Sequence, residues 1–199
     1  MSTDIRSRGR WRVIYFSALL IVVLAIGLFW YLRLQTYHFA AVQENVLYRS
    51  GNRGIRELAS ACRKGKIKTI VTLVDDQELS KEPFASEMKF AESCGIKVVR
   101  LPIPLGGWPS EDDVKKFLSI AQAKENQPVL VHCAQGVRRT GFLVAAYERA
   151  AMNYDREKTK ANMLTFGHSR RTVGDIEKFV EVYDPTTGAV PTTMPISDE

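Results

Sequence analysis

The chain has 199 residues, a formal charge of +6, 45% hydrophobic residues and three cysteines. That length suits one compact domain, or one domain with extensions. The ordinary apolar share and 10% aromatics exclude collagen, coiled coil and wholesale disorder, and three cysteines cannot build a disulfide-stapled secreted scaffold.

Residues 1–12 carry Arg6, Arg8, Arg10 and Arg12 against the single acid Asp4. Three of the six excess positive charges therefore sit in this short basic arm, expected to be cytoplasmic. Residues 13–32, VIYFSALLIVVLAIGLFWYL, follow with no acid, lysine or arginine. Twenty apolar residues at about 1.5 Å each match the roughly 30 Å hydrocarbon core of a bilayer. Aromatics stand at both edges, and the stretch is longer than a signal-peptide core and lacks a small-x-small cleavage site. These features predict an uncleaved transmembrane helix and a single-pass membrane protein. Counting basic residues keeps the N-terminus cytoplasmic and puts the rest on the far side, the periplasm if the cell is bacterial.

In the middle of the chain, Lys68 to Val74, Lys97 to Leu101 and Pro128 to Val131 are short, continuously apolar runs, as expected of strands buried on both faces. Helical patterns over Phe84 to Cys94 and Ser110 to Gln127 separate them. The second opens with Ser110 three residues before Asp113, a capping-box arrangement. Further helical patterns cover Thr140 to Ala151, Arg156 to Phe166 and Gly174 to Tyr183. Alternating strands and helices predict an α/β fold with a mostly parallel central sheet flanked by helices. Such sheets form their sites beyond the carboxyl ends of the strands. His132-Cys133 falls there. Residues 184–199, with three prolines and four threonines, are expected to be a disordered tail, leaving one catalytic-sized domain over 33–183.

The chemistry concentrates in His132-Cys133-Ala134-Gln135-Gly136-Val137-Arg138-Arg139-Thr140. A strand delivers a cysteine into a loop that closes at the start of a helix. The backbone N–H groups of Ala134, Gln135, Gly136, Val137, Arg138 and Arg139 can turn inward as an anion nest, backed by the helix dipole. Gly136 permits the tight turn. Arg139 can fold back and hold two oxygens in a bidentate fork. The same positive field favours a thiolate at Cys133, and Thr140 can donate its hydroxyl to the sulfur. His132 reads as a residue that fixes the loop rather than as a base.

This H-C-x-x-G-x-x-R-T segment resembles the signature of the cysteine-based protein tyrosine phosphatase superfamily, and the length resembles its small dual-specificity branch. Leu47-Tyr48-Arg49-Ser50-Gly51 is similar to the opening strand of bacterial and fungal-type members. The resemblance spans roughly residues 40–180. It implies hydrolysis of phosphate monoesters without metal or other cofactor, with Cys133 as nucleophile, Arg139 as phosphate clamp and Thr140 as the hydroxyl of the hydrolysis step. The expected partners are a phosphorylated protein or a phosphorylated lipid or inositol, plus the membrane through the N-terminal helix.

One feature departs from the family pattern. The loop that normally carries an aspartate as general acid reads Pro102-Ile103-Pro104-Leu105-Gly106-Gly107-Trp108-Pro109 and holds no acid. Asp112 is the candidate, with Asp75, Asp76 and Asp113 as alternatives; Asp113 has a competing structural role in the capping box. Without an acid, turnover of poor leaving groups should drop by about 10²–10⁴-fold.

Arg138, Arg170, Arg171, Arg49 and Arg53 could ring the pocket and favour multiply phosphorylated inositols or phosphoinositides, or each could be a solvated charge. Cys62 and Cys94 stand at apolar helical spacings, as core residues do. His168 has no second His or Cys at metal spacing. The enzyme reading competes with a membrane-anchored pseudophosphatase that binds phosphorylated ligands with little turnover. Nucleic acid is not an expected partner, because the charge outside the arm is nearly balanced and no aromatic-basic stripe is present.

Overall fold

A computed structural model describes the backbone of residues 4–33, 37–163 and 170–191, and the side chains of 14–29, 37–163 and 174–191. The chain divides into two units, Met1–Gln35 and Thr36–Glu199. The first holds helix α1, Asp4–Arg33, so the arginine-rich arm continues directly into the apolar stretch as one helix. Among the described residues, no helix is long and apolar enough to cross a membrane. This overturns the transmembrane helix expected over 13–32, and with it the membrane partner and the single-pass localisation.

The second unit runs β1 (Ala40–Gln43), β2 (Leu47–Gly51), α2 (Ile55–Gly65), β3 (Thr69–Thr72), α3 (Asp76–Leu79), α4 (Glu87–Ser93), β4 (Lys97–Arg100), α5 (Glu111–Gln122), β5 (Val129–Cys133), α6 (Arg138–Ala150), α7 (Arg156–Met163) and α8 (Arg170–Val182). The sheet order is β1-β2-β5-β3-β4. β2, β5, β3 and β4 are parallel, and β1 adds an antiparallel edge. The mixed α/β architecture and three apolar strands match expectation. β1, α2 and the short α3 were not foreseen, being too short or too weakly patterned to stand out.

Period-2 alternation sorts the strand residues between two cores. Leu47, Val71, Val129, Val131 and Cys133 face a core built with Phe117, Phe142, Phe179 and Tyr183. Tyr48, Ile70 and Leu130 face the other, against Leu58, Cys62 and Ala91 of α2 and α4. His132 and Cys133, adjacent on β5, therefore point to opposite faces of the sheet. On the first face Trp108, Phe142, Phe179 and Tyr183 form a run of ring contacts, at centroid separations of 4.7, 5.3 and 5.5 Å, and so pin α6 and α8 beneath the loop after β4.

The expected helix over Phe84–Cys94 is a 3-10 turn followed by α4, and the one over Ser110–Gln127 stops at Gln122 before a second 3-10 turn at Lys124–Asn126. Part of the segment expected as a tail forms a turn. Asp184 N–H donates to the Ala189 carbonyl and Gly188 N–H to that of Asp184, a turn that lays Val190 onto the core. Residues 192–199 lie outside the described residues.

Candidate active site

The carboxyl ends of β2, β3, β4 and β5 bring Asn52, Leu73 to Asp75, the Pro102–Pro109 loop and the Cys133–Arg139 loop to one edge of the sheet. The orientation of the last loop is fixed by what its carbonyls do. The Cys133 and Ala134 carbonyls both accept from Asn52 N–H, at 3.2 and 3.0 Å. The Gln135 carbonyl meets His38 Nδ1 at 2.7 Å, and the Gly136 carbonyl accepts from Arg49 Nη2 at 2.8 Å. Four successive carbonyls are thus committed outward, which turns the intervening N–H groups toward the loop centre. Gly136 N–H donates to Cys133 Sγ at 3.2 Å. Gly136 sits at φ +70°, where an added Cβ would collide with the backbone of Ser50 and Gly51, so no other residue fits without moving β2.

Arg139 opens α6 and reaches back under the loop. Its Nη1 donates to the carbonyls of Leu73 and Ile103 at 3.3 and 3.2 Å. Nη1 and Nη2 also grip the two carboxylate oxygens of Glu78, the Nη2 bond measuring 2.8 Å. The Arg139 contact holds the Glu78 carboxyl below its ordinary range. Sequence reasoning missed Glu78. It reads only as the N3 partner of Asp75 in a D-x-x-E capping box, which it also is.

Cys133 is buried, and burial alone pushes its thiol up. The Thr140 hydroxyl, the Arg139 guanidinium and the N–H groups of Thr140 and Gly136 act against burial, and the thiol lies below its ordinary value. Thr140 Oγ1 is buried and otherwise unpartnered among the described residues. Arg49 lies fully buried beneath the loop. Burial lowers it to about 10, with Cys133 and then Glu148 opposing the loss of charge.

The four carboxyls considered as proton donors fare differently. Asp113 accepts from Ser110 N–H and Oγ at 2.9 and 2.7 Å. Asp75 caps α3, accepting from Glu78 N–H at 2.9 Å. That bond leads the causes that hold Asp75 low. Asp76 pairs with Arg100. Asp112 is exposed in the first turn of α5, and no described bond joins it to the cysteine loop.

Among the described residues, Arg49 and Arg138 do not join a rim around the pocket. Arg49 is beneath the loop, and Arg53 lies over the Tyr37 ring at 3.4 Å. Arg138 turns away to the loop after β4: its Nε meets Asp175 at 2.6 Å, and Nη1 and Nη2 donate to the Gly107 and Gly106 carbonyls at 3.0 Å each. The side chains of Arg170 and Arg171, and all of His168, lie outside the described residues. Cys62 is buried as expected, but Cys94 is exposed, because the helix ends at Ser93 and leaves it as the C-cap.

A protein family described as DSP-PTPase phosphatase fused to NAD+ kinase matches residues 38–180. The chain belongs to this family. It is a phosphatase domain of the cysteine-based protein tyrosine phosphatase superfamily. A protein named Probable NAD kinase 2, chloroplastic, of Oryza sativa subsp. japonica is 29% identical over 122 residues, which are 61% of this chain and 12% of that protein. The chain thus spans only a small part of that relative's length. Among solved structures, the core catalytic domain of the PP-IP phosphatase SIW14 from S. cerevisiae superposes with a TM-score of 0.61 at 23% identity, covering 74% of this chain and 85% of that one. TpbA of P. aeruginosa in complex with pTyr gives 0.62 at 20% identity, over 76% and 88%. These two likenesses are of the fold.

Proposed function

We propose that the domain hydrolyses phosphate monoesters, on phosphotyrosine or on mixed phosphoresidues, through a cysteinyl-phosphate intermediate. The observation that carries this reading is the four outward-tied carbonyls, which leave a ring of inward N–H groups around a sulfur whose ionised form is favoured. A phosphoryl group seated there has its oxygens on the amides and the Arg139 guanidinium. Cys133 Sγ then attacks phosphorus, the ester oxygen leaves, and the S–P bond forms. In the second step water attacks phosphorus, the S–P bond breaks, and the Thr140 hydroxyl donates to the departing thiolate. Inorganic phosphate is released.

Asp112 remains the proposed proton donor for the leaving oxygen, since among the described residues it alone of the four carboxyls has no other bond or ion pair. It would need the segment 102–112 to close on substrate. The acid-free loop favours leaving groups that need little protonation. This supports a second reading, a phosphorylated inositol whose scissile bond is a phosphoanhydride, the substrate type in the name of the SIW14 structure. A domain that binds phosphorylated ligands with little turnover is the competing reading.

A para-nitrophenyl phosphate assay on the full chain decides between enzyme and binder, because that leaving group needs little help. Turnover abolished by Cys133→Ser supports the enzyme; no turnover in the wild type, with phosphotyrosine peptide still bound, establishes the binder. A panel of phosphotyrosine peptide, phosphoserine peptide, phosphoinositides, inositol phosphates and inositol pyrophosphates then assigns the substrate class. Asp112→Asn should slow alkyl phosphates far more than para-nitrophenyl phosphate. Equal effects on both would remove Asp112 from the role.

A further inference from the structure

Glu87 is the first residue of α4, and its carboxylate is fully buried beneath the sheet face opposite Cys133. A buried carboxylate is stable only when its oxygens are satisfied or its charge is paired. Here Oε1 meets His132 Nε2 at 3.0 Å, and Oε2 accepts from Asn52 Nδ2 at 3.0 Å. Both partners reach the same atom of the catalytic loop. His132 Nδ1 lies 3.3 Å from the Cys133 carbonyl, and Asn52 N–H donates to that carbonyl at 3.2 Å. The four groups form a closed circuit: Glu87 to His132, His132 to the Cys133 carbonyl, that carbonyl to Asn52, and Asn52 back to Glu87.

The circuit fixes the proton count. A carbonyl oxygen only accepts, so Nδ1 must carry a hydrogen. A further proton lies between Nε2 and Glu87 Oε1, and it belongs to the nitrogen because, despite burial, His132 holds the Glu87 carboxyl below its ordinary range. With both nitrogens protonated the imidazole is a cation, paired with Glu87 and one residue from the sulfur. Burial by itself would discharge the ring; Glu87 outweighs it and holds His132 above its ordinary range.

We propose that Glu87 is a positioning residue for the phosphatase reaction, holding His132 as a buried imidazolium that sustains the Cys133 thiolate and locks the carbonyl from which the anion nest begins. Glu87 does not touch substrate. It acts through His132 and Asn52, from the far side of the sheet. The other charged groups around the sulfur come from different elements: Arg139 from α6, tied to Glu78 and near Asp75, and Arg49 from β2, with Glu148 behind it. These stay in place when Glu87 is changed, so the cation at His132 can be isolated. The inference rests on Cys133 being the nucleophile, but its test needs no substrate. It can therefore fail while the phosphatase reading stands, and the reverse.

The test is the pH dependence of Cys133 alkylation by iodoacetamide, followed on the Cys133 peptide by mass spectrometry in the full chain, which keeps Cys94 from contributing. Glu87→Gln keeps shape and removes charge. The alkylation midpoint should rise by about one pH unit, the lower end of the effect of losing a nearby opposite charge, and the acid limb of para-nitrophenyl phosphate turnover should move with it. A purely structural role would lower the amount of folded protein and leave the midpoint unmoved, and that outcome overturns the proposal. Should Glu87→Gln not fold, the wild type answers directly. Nitrogen NMR of the His132 ring at pH 7.5 should show both nitrogens protonated, and a neutral ring there refutes the inference.

Discussion

Glu148, on α6, faces the underside of the site and makes this domain's stability depend on pH in an unusual direction. Its Oε1 accepts from Asn162 Nδ2 at 3.1 Å, while Oε2 is buried with no hydrogen-bond partner among the described residues. Burial raises the carboxyl from 4.5 to about 7, against smaller opposing effects of Asn162, Arg49 and Lys158. The folded protein therefore keeps a proton on Glu148 that the unfolded chain gives up near 4.5. Between those two values the native state binds more protons than the unfolded state, so stability falls as pH rises, and the full penalty is present above about 7. At about 1.4 kcal/mol per pH unit, the difference amounts to roughly 3 kcal/mol. Glu148→Gln is permanently neutral and escapes the penalty. Urea unfolding of both proteins should show the variant gaining about 3 kcal/mol on wild type between pH 5 and pH 8.5. Using the change in the difference cancels whatever the amide itself does to packing, and cancels the other carboxyls. A gap between variant and wild type that is the same at both pH values would refute the argument, and would mean that Glu148 is ionised at ordinary cost, with Arg49 as its effective counter-ion.

Two further perturbations probe the loop. Gly136→Ala adds a methyl where Ser50 and Gly51 backbone already lies, on top of about 1–2 kcal/mol for a positive φ; the melting temperature should fall and para-nitrophenyl phosphate turnover should drop at least 10²-fold, whereas near-normal activity would mean that the loop is not as tightly backed by β2 as described. Glu78→Gln leaves Arg139 its two carbonyl partners but only one side-chain acceptor in place of a bidentate carboxylate, and kcat/KM should fall roughly ten- to hundred-fold, an unchanged value showing that Leu73 and Ile103 alone orient the clamp.

Three strands of the sheet, the helices that follow them, the fold class and the cysteine loop were legible in the sequence, whereas β1, α2 and α3 were not. The legible parts are written in local pattern: short β-branched runs, a capping box at Ser110, and a motif in which every residue type has a chemical reason. The loop can be read locally because a strand, a glycine and a helix start lie within a dozen consecutive residues. What the sequence could not express is pairing between segments far apart in the chain. Nothing local distinguishes Glu87 from any acid in a first helical turn, nor Glu78 from an ordinary capping residue, although 45 residues separate Glu87 from His132 and 61 separate Glu78 from Arg139. Arginines beside the motif looked like one pocket rim, yet tertiary packing sends Arg49 below the loop and Arg138 to the carbonyls after β4. The apolar stretch near the N-terminus predicted a span from composition alone, and the helix that forms there is not long and apolar enough among its described residues. Sequence by itself determined the loop's residues and its strand-to-helix setting, from which its chemistry is proposed. Only the tertiary structure decided which charges surround it, because the parallel sheet brings four strand ends to one edge and the alternation of side chains sends His132 and Cys133 to opposite faces, each to its own set of partners.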